Sequence, residues 1–383
     1  MASQNYMGYH FETDAQNGIV YMSIGGCILS YIAMVYNIII LLVLCRHNLR
    51  TPSTVLMQGL AIADFLTGFC SYGLEPLFQS SYATVHSDTY SSKLTLAFPY
   101  CSLYVYSSQL VDTFHLISIL LTTCLGVQKV IALKFPIFFR NNLKIRSAII
   151  CCVICFTTSL LINLPRHFAV SFANRQNVSF EYFDNDIYKT KTLLEGCSSI
   201  RESKQAFLYA TRYYPLVFAI LLVVLSTAMC ICVIYTVYKL CQKNFRKKNV
   251  VQRSKERRSA LMITAVLIIF LLSEIPRLAM YGYLFFGKYL YKMLEYETSE
   301  DSLGWIVTDY RATMAISLKM GLDMSFTNLL MIVESLKLVS LIGCMSNFVI
   351  YMTMSKQLRM ELRTCLPSTA KKRRNFIIQN DKK

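Results

Sequence analysis

Ten ionisable side chains stand in stretches of this chain that are otherwise apolar: Asp64, Glu75, Asp112, Lys129, Arg166, Arg212, Glu274, Arg277, Glu334 and Lys337. A charge in hydrocarbon costs about 2.5–3.5 kcal/mol on insertion scales, so each needs a partner, a route to water or a ligand. Asp64 is the most demanding, because it lies in the middle of the run Leu60-Ala61-Ile62-Ala63-Asp64 and is too short to reach water. It requires polar partners or a bound cation. Asn37, Ser118 and Asn347 lie at matching depth in other apolar stretches, with Tyr351 a turn beyond Asn347. Arg166, Arg212 and Arg277 stand near stretch ends, where they either snorkel to the interface or face a ligand.

Catalytic chemistry is not expected. The chain has no glycine-rich phosphate loop, no His-Glu-x-x-His run and no metal-ligand spacing among its five histidines. No cofactor is expected beyond a bound cation at Asp64.

The elements that hold these groups are seven apolar stretches, Ile19–Cys45, Ser53–Phe78, Tyr100–Leu133, Ile145–Val170, Leu208–Leu240, Ser259–Phe286 and Phe326–Met354. Each exceeds the roughly 20 residues that a helix needs to cross a bilayer. The charges between them are sorted by side. Arg46–Thr51, Lys134–Lys144, Cys241–Arg258 and Ser355–Lys383 together hold 22 Lys and Arg against 3 Asp and Glu, whereas the alternate segments hold 10 against 14. Basic loops stay cytoplasmic, which predicts an all-α plasma-membrane protein with its amino terminus outside and its tail inside. The expected organisation is an extracellular segment 1–18, a seven-helix domain 19–354 and a cytoplasmic tail 355–383. The net charge of +17 then suits anionic lipid heads and a cytoplasmic partner, and nucleic acid is not expected. The first residues resemble no cleavable signal peptide, so the first span is expected to act as the insertion signal.

Ten of the fourteen cysteines fall within spans, where cysteine behaves as a small apolar residue, and Cys241 and Cys365 face the reducing side. Only Cys101 and Cys197 reach oxidising space, as a single bridge or as two free thiols. Asn177-Val178-Ser179 is a glycosylation sequon in the same outer segment as Cys197.

The Leu-Ala-x-Ala-Asp run ending at Asp64, Asn37 in span one and Asn347 to Tyr351 in span seven together resemble the polar core of the rhodopsin-like (class A) G-protein-coupled receptors. The resemblance covers the whole bundle. It implies a Cys101–Cys197 bridge, kinks at Pro215 and Pro276, and a sodium and water site at Asp64, Ser118 and Asn347 that collapses on activation. An inert packing cluster is the alternative. It also implies a short amphipathic eighth helix around Leu358 and Leu362, with Cys365 beyond it either palmitoylated or a plain thiol. Departures from the family pattern are Gln128-Lys129-Val130 for Asp-Arg-Tyr, Phe348 for the span-seven proline, and no tryptophan in spans four and six. Lysine lacks the planar fork of arginine, which puts the coupling geometry of Lys129 in question. Glu256 stands where the family often places an acidic partner, so a Lys129–Glu256 latch competes with a simply solvated Glu256.

Within the family, three runs are similar to invertebrate FMRFamide and myosuppressin-type neuropeptide receptors and related nematode serpentine receptors: His115 to Thr122, Phe270 to Pro276, and Asn163-Leu164-Pro165-Arg166. This implies an extracellular neuropeptide ligand and a heterotrimeric G protein partner, with a small-molecule chemosensory receptor as the alternative. Asp112, Glu75, Arg277, Glu334 and Lys337 are the candidate ligand residues. Asp112 comes first for a cationic ligand, and Glu75 and Glu334 are alternatively partners of Lys337. A light sensor is not expected, because Leu341 occupies the Schiff-base position. Channel and transporter readings lack a filter-like run and internal repeats.

Overall fold

Ile24, Ile28, Tyr31, Val35, Ile38 and Leu42 recur every three or four residues along the first helix and are exposed, while Ala33, Asn37 and Ile40 between them are buried. An apolar face turned outward and a polar residue turned inward reverse the pattern of a soluble helix and suit one bathed in lipid. The computed structural model describes residues 13–46, 51–79, 82–87, 91–96, 98–137, 139, 144–184, 187–201, 203–242, 250–293, 326–355, 359, 360 and 362. Among them, seven helices are long and apolar enough to cross a membrane. The protein is a multi-pass membrane protein with the seven-helix bundle expected from its sequence.

The helices are α1 (Thr13–Leu44), α2 (Pro52–Gly68), α3 (Tyr100–Lys134), α4 (Ile145–His167), α5 (Tyr214–Cys241), α6 (Val250–Met293) and α7 (Phe326–Met354). Helix α1 packs on α2 and α7, α2 also on α3, α4 and α7, and α6 on α5 and α7. Helix α3 touches α2, α4, α5 and α6. In its most apolar window 56% of residues are buried, against 22% in α4 and α5, which places α3 at the centre and those two at the periphery. The core runs from Leu56, Leu60 and Ile117 through Leu121 and Phe218 to Leu267 and Phe270.

Local chemistry sets several helix ends. Thr51 caps α2 through a reciprocal box with Thr54, and Pro52 occupies the first turn, where its missing N–H costs nothing. Helix α2 runs on through a π-helical turn, Phe69–Gly73, into a short helix, Glu75–Gln79. Tyr31 Oη donates to the Gly73 carbonyl within that turn at 3.1 Å. The extra residue of a π turn rotates the next stretch of helix about its axis, and here Tyr72 and Glu75 come to lie buried. A second π turn, Tyr209–Tyr213, precedes Pro215 at the start of α5.

Several boundaries differ from those expected. Helix α4 ends at His167, and Val170 already belongs to a strand. Helix α6 extends beyond its apolar stretch at both ends, to 44 residues, and carries Pro276 inside it. Two antiparallel hairpins join the helices at one end of the bundle: β1 (Tyr82–Ser87) with β2 (Ser91–Leu96), and β3 (Val170–Asp184) with β4 (Ile187–Arg201). We call this the hairpin end and the opposite one the basic end. Of the eighth helix, Arg359, Met360 and Leu362 are helical and Leu362 packs on the bundle core. Leu358 and Cys365 lie outside the described residues.

The contact between α1 and the π turn generates a test. A Cβ at Gly26 would come within 2.6 Å of the Tyr72 ring, whereas one at Gly25 would meet nothing within 4 Å. Overpacking costs about 1–3 kcal/mol. Gly26→Ala should therefore lower the thermal midpoint of the purified protein in detergent, and Gly25→Ala should leave it unchanged or raise it slightly.

Candidate functional site

One face of α7 carries Glu334, Lys337, Ser340, Cys344, Asn347 and Tyr351, spaced by three or four residues. Positions at that spacing share a helix face. All but the partly buried Lys337 are buried, so the stripe faces the bundle interior from the hairpin end toward the basic end.

At the hairpin end, Lys337 Nζ meets Glu334 Oε1 at 2.8 Å, and Tyr72 Oη donates to Glu334 Oε2. Lys337 also lies 5.9 Å from the ring centroids of both Tyr72 and Tyr104. Glu75 is buried and feels the charges of both Glu334 and Lys337. Lys337 is thus paired with Glu334 among aromatic rings, with the second acid, Glu75, buried near both. Asp112 is engaged elsewhere: Arg166 Nη1 donates to its Oδ2 at 3.1 Å and to Asn163 Oδ1 at 3.2 Å, with the guanidinium 4.0 Å above the Tyr214 ring. Arg166 therefore joins α3, α4 and α5, and Asp112 is an ion-pair partner within the protein. Of Arg212, only the backbone is described.

Deeper in the bundle, Arg277 is buried and donates to Ser340 Oγ at 2.9 Å, joining α6 to α7. One turn of α6 away, Glu274 Oε1 lies 2.6 Å from His115 Nε2, with side chains 2% and 1% exposed. A carboxylate only accepts, so the imidazole Nε2 is the donor. His115 stacks on Phe270 with centroids 5.9 Å apart. His115 Nδ1 and Glu274 Oε2 are buried without hydrogen-bond partners among the described residues. Sequence reading named His115 and Glu274 separately and missed the pair. The signal was an acid at the span-six position normally held by tryptophan, which needs a basic neighbour in a dry core.

At the centre, Ser118 Oγ donates to Asp64 Oδ1 at 2.7 Å and Asn347 Nδ2 to Asp64 Oδ2 at 2.8 Å. Asn37 does not bond Asp64: its Nδ2 donates to Ala33 O in its own helix at 2.9 Å, and its Oδ1 is buried and unpartnered. Tyr351 Oη is likewise buried without a hydrogen bond. Three of the five expected core residues therefore meet directly.

Toward the basic end, Lys129 Nζ donates to Ser259 Oγ at 3.2 Å, linking α3 to α6, and Ser53 Oγ donates to Gln128 Oε1 at 3.2 Å, linking α2 to α3. Val130 packs on the core. Glu256 is in α6, and its side chain lies outside the described residues. Cys101 is disulfide-bonded. Cys197 stands on β4 opposite Asn174 on β3, and Asn177 is on β3.

Seven membrane helices around a central carboxylate, with a polar stripe leading to it from one end, define a serpentine membrane protein with a bundle-centred polar core. Residues 25–368 match the model of the serpentine type 7TM GPCR chemoreceptor family Srw, and the chain belongs to that family. It is also 24% identical over 266 residues to the Sex peptide receptor-related protein 2 of Caenorhabditis elegans, a match covering 67% of this chain and 57% of that protein. The chain thus spans little more than half the length of that curated relative.

The buried His115–Glu274 pair generates a prediction. Removing one partner of a buried pair costs about 3–5 kcal/mol, because it strands the other. Glu274→Ala and His115→Ala should each lower the thermal midpoint strongly, and the double variant should lose less than the sum of the two. Additive losses would show that the groups do not interact.

Proposed function

We propose that this protein is a rhodopsin-like G-protein-coupled receptor of the plasma membrane that binds an extracellular neuropeptide and signals through a heterotrimeric G protein. In this reading residues 1–18 and the hairpins are extracellular and residues 355–383 form the cytoplasmic tail. A Cys101–Cys197 bridge ties the long hairpin to α3, Asn177 carries a glycan and Cys365 a palmitoyl chain. Gln128, Lys129, Val130 and Glu256 belong to the face that meets the G protein.

The observation that carries the reading is the Glu334–Lys337 pair beside Tyr72 and Tyr104, with a second acid, Glu75, buried near it. An acid beyond the one that Lys337 pairs, among aromatic rings, suits a ligand that presents a cation next to an aromatic group. A peptide ending in Arg-Phe-amide does so, and it has no terminal carboxylate to be repelled. The named relative is described as related to a receptor for a peptide, which agrees. Arg277 is the next polar group inward. The family description, chemoreceptor, favours the second reading, a receptor for small molecules on the same bundle.

The test is a calcium or cAMP screen of the expressed receptor against a neuropeptide library, followed by Glu75→Gln, Glu334→Gln and Asp112→Asn with an arginine peptide and its citrulline analogue. Losing a buried charged partner costs about 2–5 kcal/mol, or roughly 30-fold to several thousand-fold in potency. Glu75→Gln or Glu334→Gln should lose that much for the arginine peptide and little for the analogue. Asp112→Asn strands Arg166 and should weaken both peptides alike. If every variant still discriminates the two peptides as the parent does, the small-molecule reading replaces this one.

Asp64, Ser118 and the unpartnered Asn37 Oδ1 supply hard oxygen donors of the kind a sodium ion takes, so the residues fit such an ion. An ion held by the inactive state must oppose an agonist that prefers the active one. Raising sodium should weaken agonist binding in the parent and leave Asp64→Asn unaffected. Equal sensitivity of both would leave Asp64 a packing residue.

A further inference from the structure

Three thiols from two helices meet where α3 packs on α4. Cys151 and Cys155 stand one turn apart on α4, which puts them on one face, and Cys124 reaches them from α3. The three sulfurs all lie within 4.8 Å of one another, with Cys124 and Cys155 3.9 Å apart. Cys155 is buried and the other two are half-buried. The adjacent Cys152 is turned away: its Sγ donates to Val55 O of α2 at 3.8 Å and would lie 3.1 Å from a Cβ at Gly59. Cysteines in a membrane span read from sequence as small apolar residues, and only the packing of α3 on α4 brings these three together.

We propose that Cys124, Cys151 and Cys155 form a three-thiolate site for a soft monovalent metal ion, copper(I), that clips α3 to α4. A metal–sulfur bond of about 2.3 Å sets the sulfurs of a planar three-coordinate site about 4.0 Å apart, so small side-chain rotations close the site. Thiolates select soft ions over magnesium or calcium. Structural zinc takes four ligands, and among the described residues no fourth histidine, cysteine or carboxylate joins the group.

Binding exchanges each S–H bond for a metal–sulfur bond and releases the proton, and the copper stays in its +1 state, so no oxidant or reductant is consumed. Cys151 lies six residues into α4, about 9 Å of helix from the basic end, which gives the protons a short way out. Lys144 and Arg146, exposed at that end, offset the negative charge of the complex.

The experiment uses the full chain, purified in detergent under reducing conditions and given copper(I) in competition with a coloured copper(I) chelator. The parent should retain one copper per chain, with a higher thermal midpoint than the metal-free protein. Cys124→Ser, Cys151→Ser and Cys155→Ser should each weaken retention by at least about 100-fold, the upper end of what outer-shell changes cost. Cys152→Ser should match the parent. Metal-free midpoints of the variants equal to the parent's would separate loss of the site from misfolding. Should any variant fail to fold, X-ray absorption of the copper-loaded parent decides, with sulfur-only three-coordinate ligation expected. The proposal is overturned if the parent yields its copper to the chelator as readily as the triple serine variant, if Cys152 is required, or if nitrogen or oxygen ligates the metal.

Discussion

A carboxylate fully buried among seven lipid-bathed helices must find its hydrogen bonds inside the protein, and the placement of Asp64 constrains the rest of the bundle. Its two oxygens take Ser118 of α3 and Asn347 of α7, so one side chain sets the depth and rotation of three helices relative to each other. Interhelical hydrogen bonds between neutral groups in membranes average only about 0.6 kcal/mol, but a charged acceptor left alone costs far more. Geometry is therefore specified mainly by the penalty for misplacement. Once Asn347 is fixed, the three- and four-residue spacing of α7 turns Glu334, Lys337, Ser340, Cys344 and Tyr351 inward as well. The polar stripe is a consequence of one register.

The same penalty explains how the other charges are arranged. Glu334 has Lys337 and Tyr72, Asp112 has Arg166, and Glu274 has His115 with Arg277 close by. Each pair except Glu334–Lys337 bridges two helices, and that one is bridged by Tyr72. Glu75 stands apart, because Lys337, whose charge it feels, is already paired with Glu334. That second acid at the hairpin end is the feature on which the proposed recognition of a cationic ligand rests.

The seven spans were legible because a bilayer imposes length and composition on each element separately, without reference to its neighbours. Asp64, Ser118 and Asn347 were legible as a group because depth along a span can be counted from its ends. Asn37 was counted to the same depth, yet its amide turns back to Ala33. Depth does not fix a rotamer. The partners of Asp112 and Glu274 are 54 and 159 residues distant, on helices whose rotation the sequence does not display. Both hairpins were missed because outer segments of mixed polarity carry no period that lipid enforces. The α7 stripe was written in the spacing of its polar residues, and only part of it was read.

The bonds that hold α6 differ in kind from those that hold α2, α3 and α7 together. Between those three helices the acceptor is one buried carboxylate taking two donors, and breaking either bond leaves charge unsatisfied. Helix α6 is held by Arg277 to Ser340, by Glu274 to His115 and by Lys129 to Ser259, one at each of three depths. The first and last end on a serine hydroxyl, which can exchange partners at small cost. Only the middle one is a buried pair that must break as a unit. Gly126, where a Cβ would lie 3.1 Å from Leu267, and Gly343, where one would lie 3.2 Å from Ser273 Oγ, let α6 approach α3 and α7 closely. Of the three bonds that hold α6, the one at the level of His115 is the expensive one to break.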